Sequence, residues 1–600
     1  MDYEDILAPV AMYRDRLKAE HAKNSAEAFE ELFKRSGVDA SANAALVREI
    51  RKLEAQVAAL DSKLKWWKIF RWIMILIAVV GAVLTVMWLV PVCGGDDLGV
   101  TPPVGAAGGA ASVLALVLIF SVLNGRIKIF TELVAASRAE LQSRLDEAWR
   151  MMEPLNRLYR WDTITAIVMK TLPIMAIDRY VSVARLRQLA DHFKWTDLSG
   201  AAVSALACQS GAVNGNPWVI AEELHQKWGV KTYTGTLVIT WREQEYYTDS
   251  NGKQRSRWVT RSQTLVATVD KPIPVYERHK RLVYGNEAAP ELNFSRGPNP
   301  LSETQGGILS NRKLKNAIAA LEKKSRDLGN TFTIMDNREF DACFDAVDRD
   351  NEQQFRLLFT PLAQQEMLTL LRDKEQGYGD DFAFRKRGMI NTLASAHLDH
   401  LDISGAPRLL KNYDLEAARK NFNDYSNEFF RVFFFSFAPV FCIPLYQQHR
   451  NFYDIYQGII ADGEVSFFEY ESLVNAIGDE RFRPANAATR SILKTVVASR
   501  TGGDAVLAVT AHAFRGEERV EYVSKYGGDG KWHQVPVHWT EYLPVSRESR
   551  LPVCVAGTGD HLEFAEALNT PEWKARLAAL GAGGGRPWFR RGVAAFLRGK

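Results

Sequence analysis

Two uncharged apolar runs, separated by a short polar connector, constrain this chain more than any other feature. The first, "WIMILIAVVGAVLTVMWLVPV", fills residues 72–92, and the second, "VGAAGGAASVLALVLIFSVL", fills residues 104–123. A helix rises 1.5 Å per residue, so each run reaches about 30 Å, the thickness of a bilayer's hydrocarbon core. Uncharged runs of this length are uncommon as buried helices of soluble proteins. The expectation is therefore a transmembrane hairpin, with Gly105 and Gly109 forming a small-xxx-small step that lets its two helices pack closely.

The flanks orient it. Lys63, Lys65, Lys68 and Arg71 precede the first run and Arg126 and Lys128 follow the second, while the connector "CGGDDLGVTPP" holds two aspartates and no basic residue. The positive-inside bias puts both termini in the cytoplasm. Trp66, Trp67 and Trp72 then lie at the inner interface beside Lys68, Arg71, Arg126 and Lys128, with Trp88 at the outer one. Cys93 becomes the sole cysteine on the outer side.

Apolar periodicity continues past the runs. Leu46, Ile50, Leu53, Val57, Leu60 and Leu64 recur at alternating steps of four and three, an a/d seam leading into Trp67. Ile127, Phe130, Val134, Leu141 and Leu145 share one face of a second long helix reaching about Glu153, just before Pro154. Two readings stay open: an antiparallel coiled-coil stalk within one chain, or a seam that pairs with another copy and makes a homo-oligomer.

Six hundred residues exceed a single core and imply several domains. With 47% hydrophobic and 24% charged residues the chain is on average globular, so membranous character is local. The formal charge of +4 is spread without a basic face, which argues against a nucleic-acid partner. Cys93, Cys208, Cys343, Cys442 and Cys554 are widely spaced, unlike a disulfide framework or zinc ribbon. The charged, helical first residues lack the apolar core of a cleavable signal peptide.

A third apolar stretch, "FFRVFFFSFAPVFCIPLY" at 429–446, raises the question of another span. Leu415, Ala418, Phe422, Tyr425, Phe429 and Val432 recur at helical spacing with charges between them, which describes a half-wet amphipathic helix. Beyond it, Phe433–Tyr446 is too short to span and contains Pro439 and Pro444. The stretch is expected to be a buried core segment.

The fold class expected is α+β: the hairpin and its coiled-coil stalk, then a large mixed cytoplasmic region with long antiparallel hairpins. Its divisions are N-terminal helices and coiled coil at 1–68, the transmembrane hairpin at 69–130, and a stalk helix at 131–153. An α+β domain at 154–300, a mainly helical region at 301–446, a C-terminal α+β region at 447–580, and a glycine linker with basic tail at 581–600 complete it. Helices are expected at about 179–194 and 217–228. "KTYTGTLVITWREQEYY" and "SRWVTRSQTLVATV" flank Asn251-Gly252, a hairpin signal, and "AVLAVTAHAFRG", "RVEYVSKY" and "WHQVPVHWTEYLPV" read as further strands around "GGDGK". The tail "RPWFRRGVAAFLRGK" reads either as a lipid-surface segment or as an exposed end.

The strings "QTLVATVDKPIPVY", "LVYGNEAAPELNFSR", "DRDNEQQFRLLFTPLAQ" and "FAPVFCIPLYQQHR" resemble those of a bacterial family of uncharacterised proteins with an N-terminal transmembrane pair and a large cytoplasmic part. The resemblance covers about residues 200–450. It implies a bacterial inner-membrane setting and brings no assigned activity.

No phosphate loop, GxSxG elbow or HExxH helix occurs, since "GGDGKW" has the wrong glycine spacing. "HLDHLD" offers His397, His400 and Asp402, but two imidazoles do not make a metal site. "LPVCVAGTGDHLEFAEAL" lacks the third glycine of a dinucleotide fingerprint and reads as a structural turn with Asp560 as helix cap. Asp345, Asp348, Asp350 and Glu352 lack the glycine of a calcium loop. His533 and His538 fall on opposite faces of one strand. No catalytic, cofactor or metal residue is assigned. The function expected is a membrane-anchored scaffold or sensor whose cytoplasmic body binds a protein partner. The alternatives are a motif-poor membrane-associated enzyme, hydrolytic or lipid-active, and a membrane-permeabilising effector.

Overall fold

A computed structural model describes residues 5–92, 101–196, 200–248, 253–302, 308–326, 332–449, 464–501, 504–555, 570–579, 587–591 and 593–596. Cys93, Asn251, Gly252, Gly557, Gly559, Asp560 and the 581–585 linker lie outside them. The chain is mixed α+β with antiparallel sheets and divides into two compact units.

Residues 26–159 and 407–424 form one unit. Its helix Ala40–Val92 runs for 53 residues, and a return helix begins at Pro102, passes a π-helical turn at Ile119–Leu123 and continues from Asn124 to Leu158. The return helix thus runs a turn past Pro154 instead of ending at Glu153. Both helices are long and apolar enough to cross a membrane, and only 17% and 28% of their most apolar windows are buried. They meet along Met74, Ala78, Ala115, Ile119 and Leu123, then Leu64, Ile127 and Val134, then Leu46, Ile50 and Ala148 with Leu141 and Leu145. Leu46, Ile50, Leu60 and Leu64 of the seam read from the sequence thus pack against the return helix. At its far end Arg51 pairs with Asp414 at 2.7 Å, and Asn43 donates to the carbonyl of Tyr413.

Residues 1–25, 160–406 and 425–600 form the other unit. Its first sheet has seven strands: β1 Met175–Ile177, β2 Val203–Val213, β3 Asn216–Thr248, β4 Gln254–Gly285, β5 Asn293–Arg296, β6 Phe382–Arg387 and β7 Ile390–Ser395, ordered β1-β2-β3-β4-β7-β6-β5. Five strands make the second: β8 Ile492–Thr501, β9 Asp504–Tyr526, β10 Trp532–Val555, β11 Pro587–Arg590 and β12 Val593–Phe596, ordered β11-β12-β10-β9-β8.

Three expectations are corrected here. Residues 217–228 are not helical but the base of β3, where Trp218, Val219 and Ile220 are fully buried between β2 and β4. The helix-favouring Ala221-Glu222-Glu223-Leu224 yields to pairing on both edges. The mainly helical middle also contributes the hairpin β6–β7, which closes on β4 through Leu282↔Leu393. In the tail, residues 587–590 and 593–596 are strands rather than a lipid-lying segment or a frayed end. β12 pairs with β10 through Val553↔Ala595, and Arg590 and Arg591 are buried beside Glu469. Two of its basic residues thus face an internal carboxylate.

The helix Leu415–Phe441 carries the third apolar stretch. From Phe429 on it is core: Phe433, Phe434, Phe437 and Phe441 are buried, with Trp218 edge-on to Phe433 and Phe437. The N-terminal segment packs on it through Tyr13, whose ring meets Phe430, Phe434 and Phe435.

β3 and β4 pair without interruption from Trp218↔Tyr284 to Thr248↔Gln254, and β9 and β10 from Asp504↔Cys554 to Tyr526↔Trp532. The segments "AVLAVTAHAFRG" and "RVEYVSKY" are thus one strand. The distal parts of the two hairpins stack face to face, enclosing Ile239, Leu265, Ala267, Val535 and Val537. Gly235 permits this approach, because a Cβ there would sit 2.1 Å from the carbonyl oxygen of Pro536. Past the second hairpin's turn, where Gly528 N donates to Gln263 Oε1 at 2.7 Å, β3 and β4 continue as an open ribbon.

Candidate functional site

Two places within the larger unit gather chemistry. The first is a pair of cavities of about 500 and 380 Å³ that share Asp381 and Ala396 as lining residues. Asp381 follows the buried Asp380 and immediately precedes β6, and His397 follows β7, so the hairpin's pairing brings them together. Asp381 Oδ2 lies 2.6 Å from His397 Nδ1 and also accepts from His397 N at 3.0 Å. Nε2 of the same ring is 3.1 Å from Ser436 Oγ, and the Tyr378 ring stacks on the imidazole at 4.2 Å.

These residues have the composition of a nucleophile relay. Ser436 Oγ also has the Val432 carbonyl as an acceptor at 2.8 Å, which competes with His397 Nε2 for the hydroxyl proton that a nucleophilic serine gives to the imidazole. The ring is thereby held at both nitrogens. That also answers the metal reading of "HLDHLD": His397 has no free nitrogen, and among the described residues no group of three or more ligand-type side chains is placed to hold an ion. His400 lines the smaller cavity; Asp402 accepts from Ser404 N instead.

The larger cavity is floored by a cross-strand charge ladder at the base of β3 and β4, where Glu223 faces His279 and His225 faces Glu277. Buried Glu223 accepts from Arg281 at 3.0 Å and lies 3.1 Å from His225 Nε2. Hydrogen bonds from Lys227 and then His279 hold the Glu277 carboxyl below the usual range. The two imidazole rings meet edge-on at 5.0 Å. Such a ladder can hold a small charged ligand by paired hydrogen bonds.

The second place is the stacked pair of hairpins. Their inward residues alternate with outward ones, so each hairpin shows solvent a full face. On the β9–β10 face, Trp532 lies opposite Tyr526 and Pro536 opposite Tyr522. Trp532 is 70%, Tyr522 65% and Tyr526 59% exposed.

Of the residues singled out in the sequence, Trp66 and Trp72 are exposed, as are Lys68, Arg126 and Lys128, while Arg71 is half-buried. Trp67 instead packs inward against Leu64 and Ile127. Gly105 is buried against Trp88, and Gly109 is half-buried near Thr85. The two helix backbones also approach closely at Gly81 and Gly108, a pair that the Gly105–Gly109 step does not include. Of the four acids from Asp345 to Glu352, three serve the fold: Asp348 and Asp350 accept from β5, and Glu352 pairs with Arg349. His533 pairs with Asp529 at 2.9 Å. Cys208, Cys343, Cys442 and Cys554 are all buried.

Sequence reasoning missed Asp381, the histidine ladder and both hairpin faces. The first two join residues distant in the chain. The faces were readable, because strict alternation over so many residues fixes which side chains point outward.

No family model matches the chain, and neither the curated proteins nor the solved structures offer a match.

Proposed function

We propose that this chain is a membrane-anchored scaffold or sensor that presents a cytoplasmic body to a protein partner. The aromatic face of β9–β10 carries this reading. Large exposed Trp and Tyr side chains on a rigid sheet are the residues that dominate protein interfaces, and Trp532, Tyr526 and Tyr522 share one such face. The anchor reading is supported by helices whose apolar faces are left largely uncovered, and by basic residues at their cytoplasmic flanks. Packing of Leu46, Ile50 and Leu64 against the return helix supports an intramolecular stalk over a seam shared between copies. The resemblance to a bacterial membrane family favours an inner membrane with both termini inside.

A photo-crosslinking side chain at Tyr522, in the full chain in native membranes, tests the partner. A discrete adduct that disappears in Trp532→Ala/Tyr526→Ala is expected. Labelling that is diffuse, or unchanged in that variant, overturns the reading. For the anchor, a reporter fused after Lys600 should be active only in the cytoplasm.

A second reading, an enzyme, is favoured by the placement of His225, His279 and Glu223 on one cavity and His397 on another, with Asp381 lining both. Turnover of aryl ester or phosphoester substrates by the purified chain, lost in Asp381→Asn, would establish it; equal rates in both would remove it.

A further inference from the structure

The larger cavity, of about 500 Å³, is lined from the bases of β3 and β4 and from the β6–β7 hairpin. Each basic side chain on its wall already faces an acceptor. Lys227 Nζ donates to Glu277 at 2.9 Å, Arg281 Nη2 to Glu223 at 3.0 Å, and Lys280 Nζ to the carbonyls of Asp399 and Leu401. The two imidazoles are held on one side only: His225 Nε2 lies 3.1 Å from Glu223, and His279 Nε2 lies 3.2 Å from Glu277. A carboxylate only accepts, so Nε2 carries the proton. Nδ1 of each neutral ring is left as a bare acceptor.

Two carboxylates on the wall are less well matched. Asp381 gives Oδ2 to His397, and Asp399 gives Oδ1 to the Lys280 N–H at 3.2 Å. Among the described residues the second oxygen of each has no partner, and no lysine or arginine side chain pairs with either carboxylate. Ser395 lines the same cavity, 3% exposed, and its hydroxyl oxygen has no hydrogen-bond partner. Strand β7 lies between β4 and β6, so the floor between the ladder and Asp381 is short and apolar. There Ala394 pairs with Ala383, and Ala396 N donates to the Asp381 carbonyl at 3.0 Å.

We infer that this cavity binds a small organic cation, an amidine or amine whose N–H groups meet Asp381 and Asp399 and whose apolar body lies on the alanines. Its volume is that of a small-molecule site, apolar with a few polar groups. A cation supplies the counter-charge that Asp381 and Asp399 lack, through hydrogen bonds about twice as strong as neutral ones. An anion would meet acceptors at both aspartates and both imidazoles. A metal ion is disfavoured, because among the described residues no group of three or more ligand-type side chains is placed to hold one. The inference gives a sensor its input, and it stands whether or not the β9–β10 face has a partner.

Calorimetric titration of the full chain in detergent with benzamidine, benzamide and benzoate tests it, since the three share one shape and differ in charge and in donors. Benzamidine is expected to bind at least about tenfold tighter than benzamide, and benzoate not at all. Asp381→Asn and Asp399→Asn should each weaken benzamidine about tenfold, the loss of one charged hydrogen bond. Asp270→Asn, on the same ribbon but outside the cavity, should leave it unchanged. Asp399 is exposed, so thermal unfolding of its variant should match the parent and separate lost binding from lost fold. Benzamidine that binds no better than benzamide, or benzoate that binds as tightly, overturns the proposal. So does benzamidine binding that is unchanged in Asp399→Asn. Binding is read without turnover, so these outcomes are independent of the enzyme reading.

Discussion

Gly81 and Gly108 touch backbone to backbone across the two long helices. A Cβ on Gly81 would lie 2.4 Å from the Gly108 carbonyl oxygen, and one on Gly108 would lie 2.8 Å from that of Gly81. The closeness puts hydroxyls within reach of the facing backbone: the Ser112 Oγ proton has Ala78 O at 2.9 Å and Gly108 O at 3.0 Å as acceptors, and that of Thr85 Oγ1 has Gly81 O at 2.8 Å and Gly105 O at 3.1 Å. The contacts between the helices depend on the gap staying narrow. Gly81→Val should therefore lower stability by about 1–3 kcal/mol, as overpacking does elsewhere. Gly125→Ala, where nothing lies within 4 Å of the added carbon, should be neutral or stabilising by up to ~1 kcal/mol. Thermal unfolding of both variants in detergent separates them, and equal shifts would refute the contact.

His21 is buried flat against the Phe430 ring at 4.1 Å, with Nδ1 3.0 Å from Thr171 Oγ1 and Nε2 3.1 Å from Ser426 O. Burial pulls its pKa from 6.5 down to about 4. Between those values the unfolded chain binds a proton that the folded chain refuses. Stability is thus fully present above pH 6.5 and drains away as pH falls towards 4, by on the order of 3 kcal/mol in all. Denaturant titrations at pH 7 and pH 5 should show this loss in the parent. A smaller loss is expected in His21→Gln, and parallel losses in the two would rule out His21 as the source.

Lys386 acts in a separate window. It is fully buried and donates to the carbonyls of Ala288 at 3.0 Å and Gly388 at 2.6 Å, with burial lowering its pKa from 10.5 to about 7. Its contribution is complete above pH 10.5, shrinks as pH falls towards 7 and is flat below that. The parent should accordingly gain stability from pH 7.5 to 9.5 relative to Lys386→Met. That variant pays separately for two carbonyls left without a donor. A difference between the two proteins that stays constant over this range would show that Lys386 does not titrate there.

What the sequence disclosed was set by short-range pattern. The two apolar helices announce themselves by length, and the distal hairpins by alternation such as Leu237, Ile239 and Trp241. Elements fixed by distant partners stayed hidden. The base of β3 is a strand because β2 and β4 claim both its edges, and Val593–Phe596 is a strand because β10 offers Val553–Val555. The Asp381–His397–Ser436 contact joins residues 16 and 39 positions apart, with no fixed spacing to search for. "HLDHLD" drew attention to the right histidine for the wrong reason, since its partners are a carboxylate and a hydroxyl rather than a second imidazole.

Arg296 and Asp380 pair with no solvent access to either side chain. Nη1 meets Oδ1 at 2.6 Å and Nη2 meets Oδ2 at 2.7 Å, a bidentate geometry, while Asn299 N and Ser302 Oγ also donate to Oδ2. The guanidinium lies over the rings of Phe344 and Phe382 and donates from Nε to Phe344 O. Coulomb attraction here is spent largely on the desolvation of both charges, so the pair tethers β5 to the loop before β6 more than it adds net stability. Removing one partner strands the other. Asp380→Asn and Arg296→Met should each cost about 3–5 kcal/mol, and Arg296→Met/Asp380→Leu should cost clearly less than their sum. Equilibrium unfolding of the four proteins closes the cycle, and additive losses would mean that the two residues act independently.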